Sequence, residues 1–309
     1  MIILRIKQSK WFADLHCHTC FSDGSLSSIE IVSLAAARGL RVLAVTDHDS
    51  IGMWERTGVW AKGELDGDAS LLVLPGVEIN TAWAGAEIHV LGYFHPGPFY
   101  DVGPWREEDA VEAVQLRAGK IAALEQRLEM LRGKRLERAH AIVDKLRGLG
   151  VDILWEHVES LITGTSVGRS HIARALVKCG EVTTAQEAFE RYLNAGAAAY
   201  VPNYNIQPHE AIQLIHDSGG VPVLAHPKDT ASEVIRDWVD AGLAGLEVWH
   251  PDHSPSQVDM LLKLTEDLGI LATGGSDFHG FGLHAELGEF GVDAERFGRL
   301  LAQLDLAKY

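Results

Sequence analysis

The stretch ADLHCHTCFSDGS, Ala13–Ser25, decides how this chain is read. It places His16 and His18 two residues apart behind a short apolar run, with Asp23 close by. On an extended strand, residues two apart share a face, so the two imidazoles point one way and Cys17 the other. Cys17 and Cys20 form a lone CxxC with no second pair to complete a zinc site. The thiols are therefore read as inert and buried, and the histidines as the part that carries chemistry.

Working outward, the same residue types recur at the ends of apolar strand candidates. RVLAVTDHD ends in Asp47 and His48, LLVLPGVEIN carries Glu78, and EIHVLGYF carries His89. Later, VPVLAH ends in His226, AGLEVWH in Glu247 and His250, and GILATGGSDFHG leads into Asp277 and His279. Helices are expected between them. One is opened by Ser27 with Glu30 as a capping box and closed at Gly39; another starts at Pro208. Strands alternating with helices predict an α/β fold with a parallel sheet, and in barrel-like folds functional groups gather at the C-terminal strand ends. The ligand types are imidazole and carboxylate, which suit Zn, Mn or Fe. The set is too large for one ion, so two or three divalent ions sharing a bridging carboxylate are expected. Close pairs of ions suit phosphoester hydrolysis.

Between the flanks the pattern changes. Residues 107–148 show apolar side chains three and four apart (Leu124, Leu128, Leu131, Ile142, Leu146) in a stretch rich in Lys and Arg. Residues 103–200 are read as a helical insertion or cap, dividing a barrel of 11–102 and 201–309. The whole chain is acidic, with 27 Lys and Arg against 43 Asp and Glu, a net charge of −16. That argues against a protein that coats nucleic acid but allows a small anionic substrate where bound cations reverse the local field. No apolar stretch reaches the ~18 residues of a membrane span. The three cysteines offer no disulfide framework, so the expectation is a cytoplasmic protein, with no membrane association and no stable protein partner.

The blocks DLHCHTCFSDG, AVTDHD, PGVEI with HVLGYF, AHPK, LEVWHPDHS and GGSDFHG resemble, in order, the motifs of the PHP (polymerase and histidinol phosphatase) domain family. The insertion, through SVGRSHIARALV and FERYLNAGAAAYVP, resembles the branch of stand-alone phosphoesterases acting on nucleotides. The resemblance implies a distorted (β/α)7 barrel binding up to three metals. It implies that His16, His18, Glu78 and Asp277 hold one ion, that Glu78 bridges to a second held by His89 and His226, and that Asp23, His48 and His279 hold a third. Asp47 is expected to orient a ligand.

The function expected is a metal-dependent phosphoesterase that hydrolyses phosphomonoesters of nucleotides with a metal-activated water. Its substrate would be small: a 3′,5′-bisphosphonucleotide or a short 5′-phosphorylated RNA. Arg169, beside a helix start in SVGRSHIARAL, and Lys228 are the expected phosphate-binding residues. His250 or His253 is expected to move the leaving-group proton. The alternatives are a histidinol-phosphate phosphatase, a non-catalytic metal-binding module, and an amidohydrolase on a related barrel. The last usually has a carbamylated Lys bridge, and no Lys stands where Glu78 does.

Overall fold

The computed structural model describes residues 8–57, 71–95, 107–202, 206–228, 230–280 and 285–307. Seven strands form one sheet in chain order: β1 (Ala13–Asp14), β2 (Val42–Val45), β3 (Leu72–Trp83), β4 (Ala86–Phe94), β5 (Gly220–Leu224), β6 (Gly245–Trp249) and β7 (Leu271–Gly274). Beyond their paired ends, β1 and β7 are joined by backbone bonds. Leu15 N donates to Gly274 O at 3.2 Å, Asp277 N to His16 O at 2.8 Å, and His18 N to Phe278 O at 2.9 Å. This seam brings the first and last strands together into a barrel-like sheet. Gly275 permits it, because a Cβ there would lie 2.3 Å from His16 N.

The sheet is not wholly parallel as expected. β4 runs antiparallel to both β3 and β5. Only two residues, Ala84 and Gly85, link β3 to β4, both at positive φ (50° and 82°). A two-residue connection forces an antiparallel hairpin, and positive φ at both positions matches the right-handed strand twist. As a result the start of β4, not its end, lies at the rim where the parallel strands finish, and this is how His89 reaches the site.

Period-two alternation sorts the strand residues. Leu74, Leu91, Tyr93, Val221 and Val223 form one buried cluster with Phe297, Leu300 and Leu304 of α10 (Ala294–Ala307). Val77, Ile79, Val90, Leu224, Leu246 and Val248 point the other way. They pack with α7 (Pro208–Asp217), α8 (Ser232–Asp240) and α9 (Pro255–Leu268). Continuing the first set of positions toward the rim leads from Leu74 to Glu78 and from Leu91 back to His89. One face of the sheet is thus apolar at one end and polar at the other.

α1 (Ser28–Ala37) begins at the capping box read from the sequence: Ser27 N donates to Glu30 Oε2 at 2.8 Å and Glu30 N to Ser27 Oγ at 3.4 Å. α2 (Gly52–Thr57) was not foreseen, nor was α10. The 42-residue α3 (Glu107–Gly148) serves two cores. Leu124, Leu128 and Leu131 join the layer of α7–α9. Ala139, Ile142, Val143 and Leu146 join a separate cluster with α4 (Trp155–Glu159), α5 (Arg169–Lys178), α6 (Ala185–Ala188) and a π-helical turn at Phe189–Leu193. The expected boundary at 102–103 lies outside the described residues. No helix among the described residues is long and apolar enough to cross a membrane.

Candidate metal centre

Glu78 is the hub of the polar rim. Its Oε2 lies 3.3 Å from His16 Nε2, 3.2 Å from His18 Nε2 and 2.9 Å from His48 Nδ1. Its Oε1 lies 2.7 Å from His89 Nδ1 and 3.3 Å from His226 Nε2. Asp277 Oδ1 completes a compact group, 3.2 Å from His16 Nε2 and 3.1 Å from His18 Nε2, with the two Nε2 atoms 3.2 Å apart. A tetrahedral ion with bonds of ~2.0–2.1 Å holds its donors ~3.3 Å from one another, so these four atoms have the spacing of a coordination shell. A second group gathers His18, Asp23, His48 and His279, with Asp23 Oδ1 3.3 Å from His279 Nε2 and 3.9 Å from His48 Nε2. His89 and His226 approach Glu78 Oε1 with ring centroids 5.1 Å apart. His250 also lies in the cluster, with His16 and Glu247 on one side and His226 and Asp277 on the other.

The residues fit metal ions on two counts besides donor type. Asp23 Oδ1, Glu78 Oε2, His48 Nδ1 and both His89 nitrogens are buried without an aligned hydrogen bond, although several sit close to an opposite group. Buried polar atoms of this kind call for a partner. Charge gives the second count. Burial opposes protonation of His16, but Glu247, Glu78 and Asp277 outweigh it and hold its pKa well above the ordinary value. In the same way burial is outweighed at His18 by the facing carboxylates of Asp277 and Glu78, and at His89 by that of Glu78, raising each to about 9. Burial wins at His48, pushed down to about 3, and at His226, pushed down to about 4. Asp23, Glu78 and Asp277 are held well below the usual carboxylate range, because facing imidazoles outweigh their burial. The cluster is a buried sink for positive charge, which protons or metal ions can fill.

Outer groups fix how these rings face. Both oxygens of buried Glu247 meet His16 Nδ1, at 3.0 and 3.2 Å, and Oε2 also accepts His226 N at 2.9 Å. A proton is thereby kept on His16 Nδ1, and its Nε2 lone pair faces the shell. His279 Nδ1 donates to Asp277 O at 2.8 Å, which turns its Nε2 toward Asp23. Asp47 acts at one remove. It accepts Thr19 N and Ser22 Oγ at 2.8 and 2.6 Å, and Ser22 Oγ stands 3.4 Å from His18 Nδ1. His226, Lys228 and Asp277 hold positive φ of 25°, 44° and 51°, backbone strain concentrated at the rim. Cys17 points away from the imidazoles, its thiol donating to Ala44 O.

The cluster opens into a cavity of about 690 Å³ lined also by residues of α3, α5 and α6. Its lining includes Arg135, Arg138 and Arg169 with Glu87 and Asn80, and the apolar Ile142, Val167, Ile172 and Phe189. Arg169 is the first residue of α5 and lines the cavity, with its Nη2 paired at 2.8 Å with Glu87, a cavity carboxylate. Lys228 also lines the cavity, half exposed and paired with Asp252. His250 has a proton directed to Nε2, since Nδ1 accepts Asp252 N, and that atom lies 3.6 Å from Asp277 Oδ2. His253 is engaged at both ring nitrogens, through Val248 O at 2.9 Å and Lys228 N at 3.4 Å. These contacts tie the residue to its own loop.

Three groups were missed in the sequence. Arg135 and Arg138 lie three apart on α3, so they share a helix face. Glu87 lies two before His89, so they share a strand face. Those spacings were the available signal.

Compared with known families, residues 14–201 match the PHP domain. A 5′-3′ exoribonuclease of Haemophilus influenzae is 34% identical over 272 residues, covering 86% of this chain and 89% of that protein. A 3′,5′-nucleoside bisphosphate phosphatase of Chromobacterium violaceum is 30% identical over 273 residues, covering 86% of each. A structure from Bifidobacterium adolescentis assigned as a metal-dependent phosphoesterase superposes with a TM-score of 0.78 at 30% identity. It covers 96% of this chain and 98% of that one.

Proposed function

We propose, because this chain belongs to the PHP domain family, that it is a metal-dependent phosphoesterase acting on nucleotides with phosphorus on both sides of the sugar. The substrates are 3′,5′-bisphosphonucleosides and short 5′-phosphorylated RNA. The names of the two kinds of relative, a 5′-3′ exoribonuclease and a 3′,5′-nucleoside bisphosphate phosphatase, both point to nucleotides with phosphorus at the 3′ and 5′ positions. The observation that carries the reading is the joining, in one cavity, of the His and carboxylate cluster with three guanidiniums.

In this reading His16, His18, Glu78 and Asp277 hold one ion. His89 and His226 hold a second with Glu78, and Asp23, His48 and His279 hold a third. Bound divalent ions supply Lewis-acid stabilisation of the phosphoryl oxygens and a low pKa for water. The chain's own part is placement. Glu247 keeps His16 in its ligating tautomer, and Ser22 relays Asp47 to His18. Arg135, Arg138 and Arg169 take the 5′-phosphate, with the planar, charge-assisted donors that suit it. Residues of α3, α5 and α6 line the cavity and limit the size of what can enter it. His250 Nε2 holds a proton beside Asp277 Oδ2.

A phosphate-release and nucleotide-product assay on protein loaded with Mn²⁺ or Zn²⁺ tests this. Adenosine 3′,5′-bisphosphate and 5′-phosphorylated trinucleotides are expected to exceed histidinol phosphate in kcat/KM by at least about tenfold. Equal or reversed rates would move the protein to the histidinol-phosphate branch.

A further inference from the structure

We propose that Glu87 is a resident anion of the arginine cradle, limiting how tightly the cavity holds the nucleotide's 5′-phosphate. The inference rests on the reading above in assigning that phosphate to the arginines.

Glu87 stands on β4 on the same face as His89 and lines the cavity with its side chain only 13% exposed. Its Oε1 takes Arg138 Nη1 at 3.0 Å and its Oε2 takes Arg169 Nη2 at 2.8 Å. Two oxygens of one anion, each facing a different guanidinium, is the arrangement a phosphate would make in the same place. A cradle built only to grip a dianion would leave both donors free. Here a carboxylate on a rigid strand uses one from each and sets a negative charge beside the arriving phosphate. The guanidiniums are also held by backbone carbonyls. Arg138 Nε donates to Val201 O at 2.9 Å and Arg169 Nη1 to Leu193 O at 3.4 Å. They therefore stay in place when a second anion enters. Charge matches this balance. Three arginines against Glu87 and Asp49, which lies 3.5 Å from Arg135 Nε, leave one net positive charge for a phosphate that carries nearly two negative ones. Release of a product that still bears its 5′-phosphate is favoured by that mismatch.

The test compares a nucleoside 3′,5′-bisphosphate with the nucleoside 3′-monophosphate, which lacks the group at issue. The ratio of their 1/KM values reads the cradle alone, because damage common to both substrates cancels. Glu87→Gln is expected to raise this ratio at least roughly tenfold, a floor below the effect of one unit charge a few ångströms away at an effective dielectric near 20. Glu87→Asp, which keeps the charge, is expected to leave it near wild type. A ratio that falls in Glu87→Gln would mean that the carboxylate merely fixes the arginines, and an unchanged ratio that its charge is not felt; either overturns the proposal. A wild type indifferent to the 5′-phosphate would instead count against the substrate reading. A second measurement stands apart from that reading: added inorganic phosphate should raise the melting temperature of Glu87→Gln more than that of wild type. If the variant folds poorly, phosphate should restore it. An equal or smaller gain, or no rescue, overturns the proposal.

Discussion

Replacing Glu247 with Gln removes no proposed ligand and keeps the side-chain shape, yet it should cost the site an ion. The carboxylate accepts two buried hydrogen bonds, from His16 Nδ1 and from His226 N. An amide has a single accepting oxygen. With that oxygen toward His16, the NH₂ group confronts His226 N–H and pushes on the strained backbone of a proposed ligand. With it toward His226, the oxygen stays 3.2 Å from His16 Nδ1, but the NH₂ takes the nearer position at 3.0 Å and confronts that nitrogen. That ring must then carry its proton on Nε2, which points into the shell and can no longer ligate. Either orientation costs about 1–3 kcal/mol for a buried donor left unpaired. The loss falls on metal affinity, and a drop of about 10–100-fold, or ~1.4–2.8 kcal/mol, is the usual result of losing a histidine's outer carboxylate. The assay is a competition titration of ion-free protein against a chromophoric zinc chelator, with circular dichroism to confirm folding. A folded Glu247→Gln variant that binds its tightest ion within about twofold of wild type would refute the tautomer argument.

Glu78→Gln should abolish measurable turnover and lower the metal content by at least one ion per chain, because five imidazoles face this carboxylate; full content by elemental analysis would remove it as a bridge. Arg169→Ala should cut kcat/KM by about 10–100-fold, the scale of a lost charge-assisted hydrogen bond. Because Arg169 also pairs with a cavity carboxylate, its loss should lower the melting temperature by a few degrees, about 2–4 °C per kcal/mol, and Arg169→Lys should recover only part of the activity; wild-type kinetics would take it out of the site. Burial pushes His171 down to about 4, with Nδ1 accepting Gly168 N. Folded protein thus binds fewer protons than unfolded between pH 4 and 6.5, so this residue's contribution is intact above 6.5 and falls by at most roughly 3 kcal/mol as pH drops to 4. Chemical denaturation across that range should show a shallower pH slope in His171→Asn, and parallel slopes would refute the assignment.

Most of the rim could be read from the chain because each parallel strand is a short apolar run ending in His, Asp or Glu, a pattern that survives without knowing how strands pair. β4 broke the pattern. Alternation looks the same in either direction, and only the Ala84–Gly85 turn reveals that His89 comes from a strand's beginning. Glu247 was visible as a strand-end carboxylate, but its meeting with His16 depends on the seam that brings β7 against β1. Arg135 and Arg138 were hidden among the many basic residues of α3, since their selection depends on which face of that helix turns to the cavity. The contacts of His253 could not be read, because a histidine near a strand end looks alike whether it faces the cavity or ties its own loop to Val248 O.

The seam between β1 and β7 has a topological consequence. His16 and His18 lie near one end of the chain and Asp277 near the other, with 259 residues separating His18 from Asp277. An ion held by all three would cross-link them, turning nearly the whole chain into one closed loop. The entropy lost by an unfolded chain so tied grows only with the logarithm of loop length, but few links in a protein this size could close a longer one. Stripping the ions should therefore speed the opening of the sheet at this edge first. Amide exchange at Leu15, His18 and Asp277, whose N–H groups stitch the seam, would quicken ahead of exchange in the β3–β4 hairpin, where pairing is local.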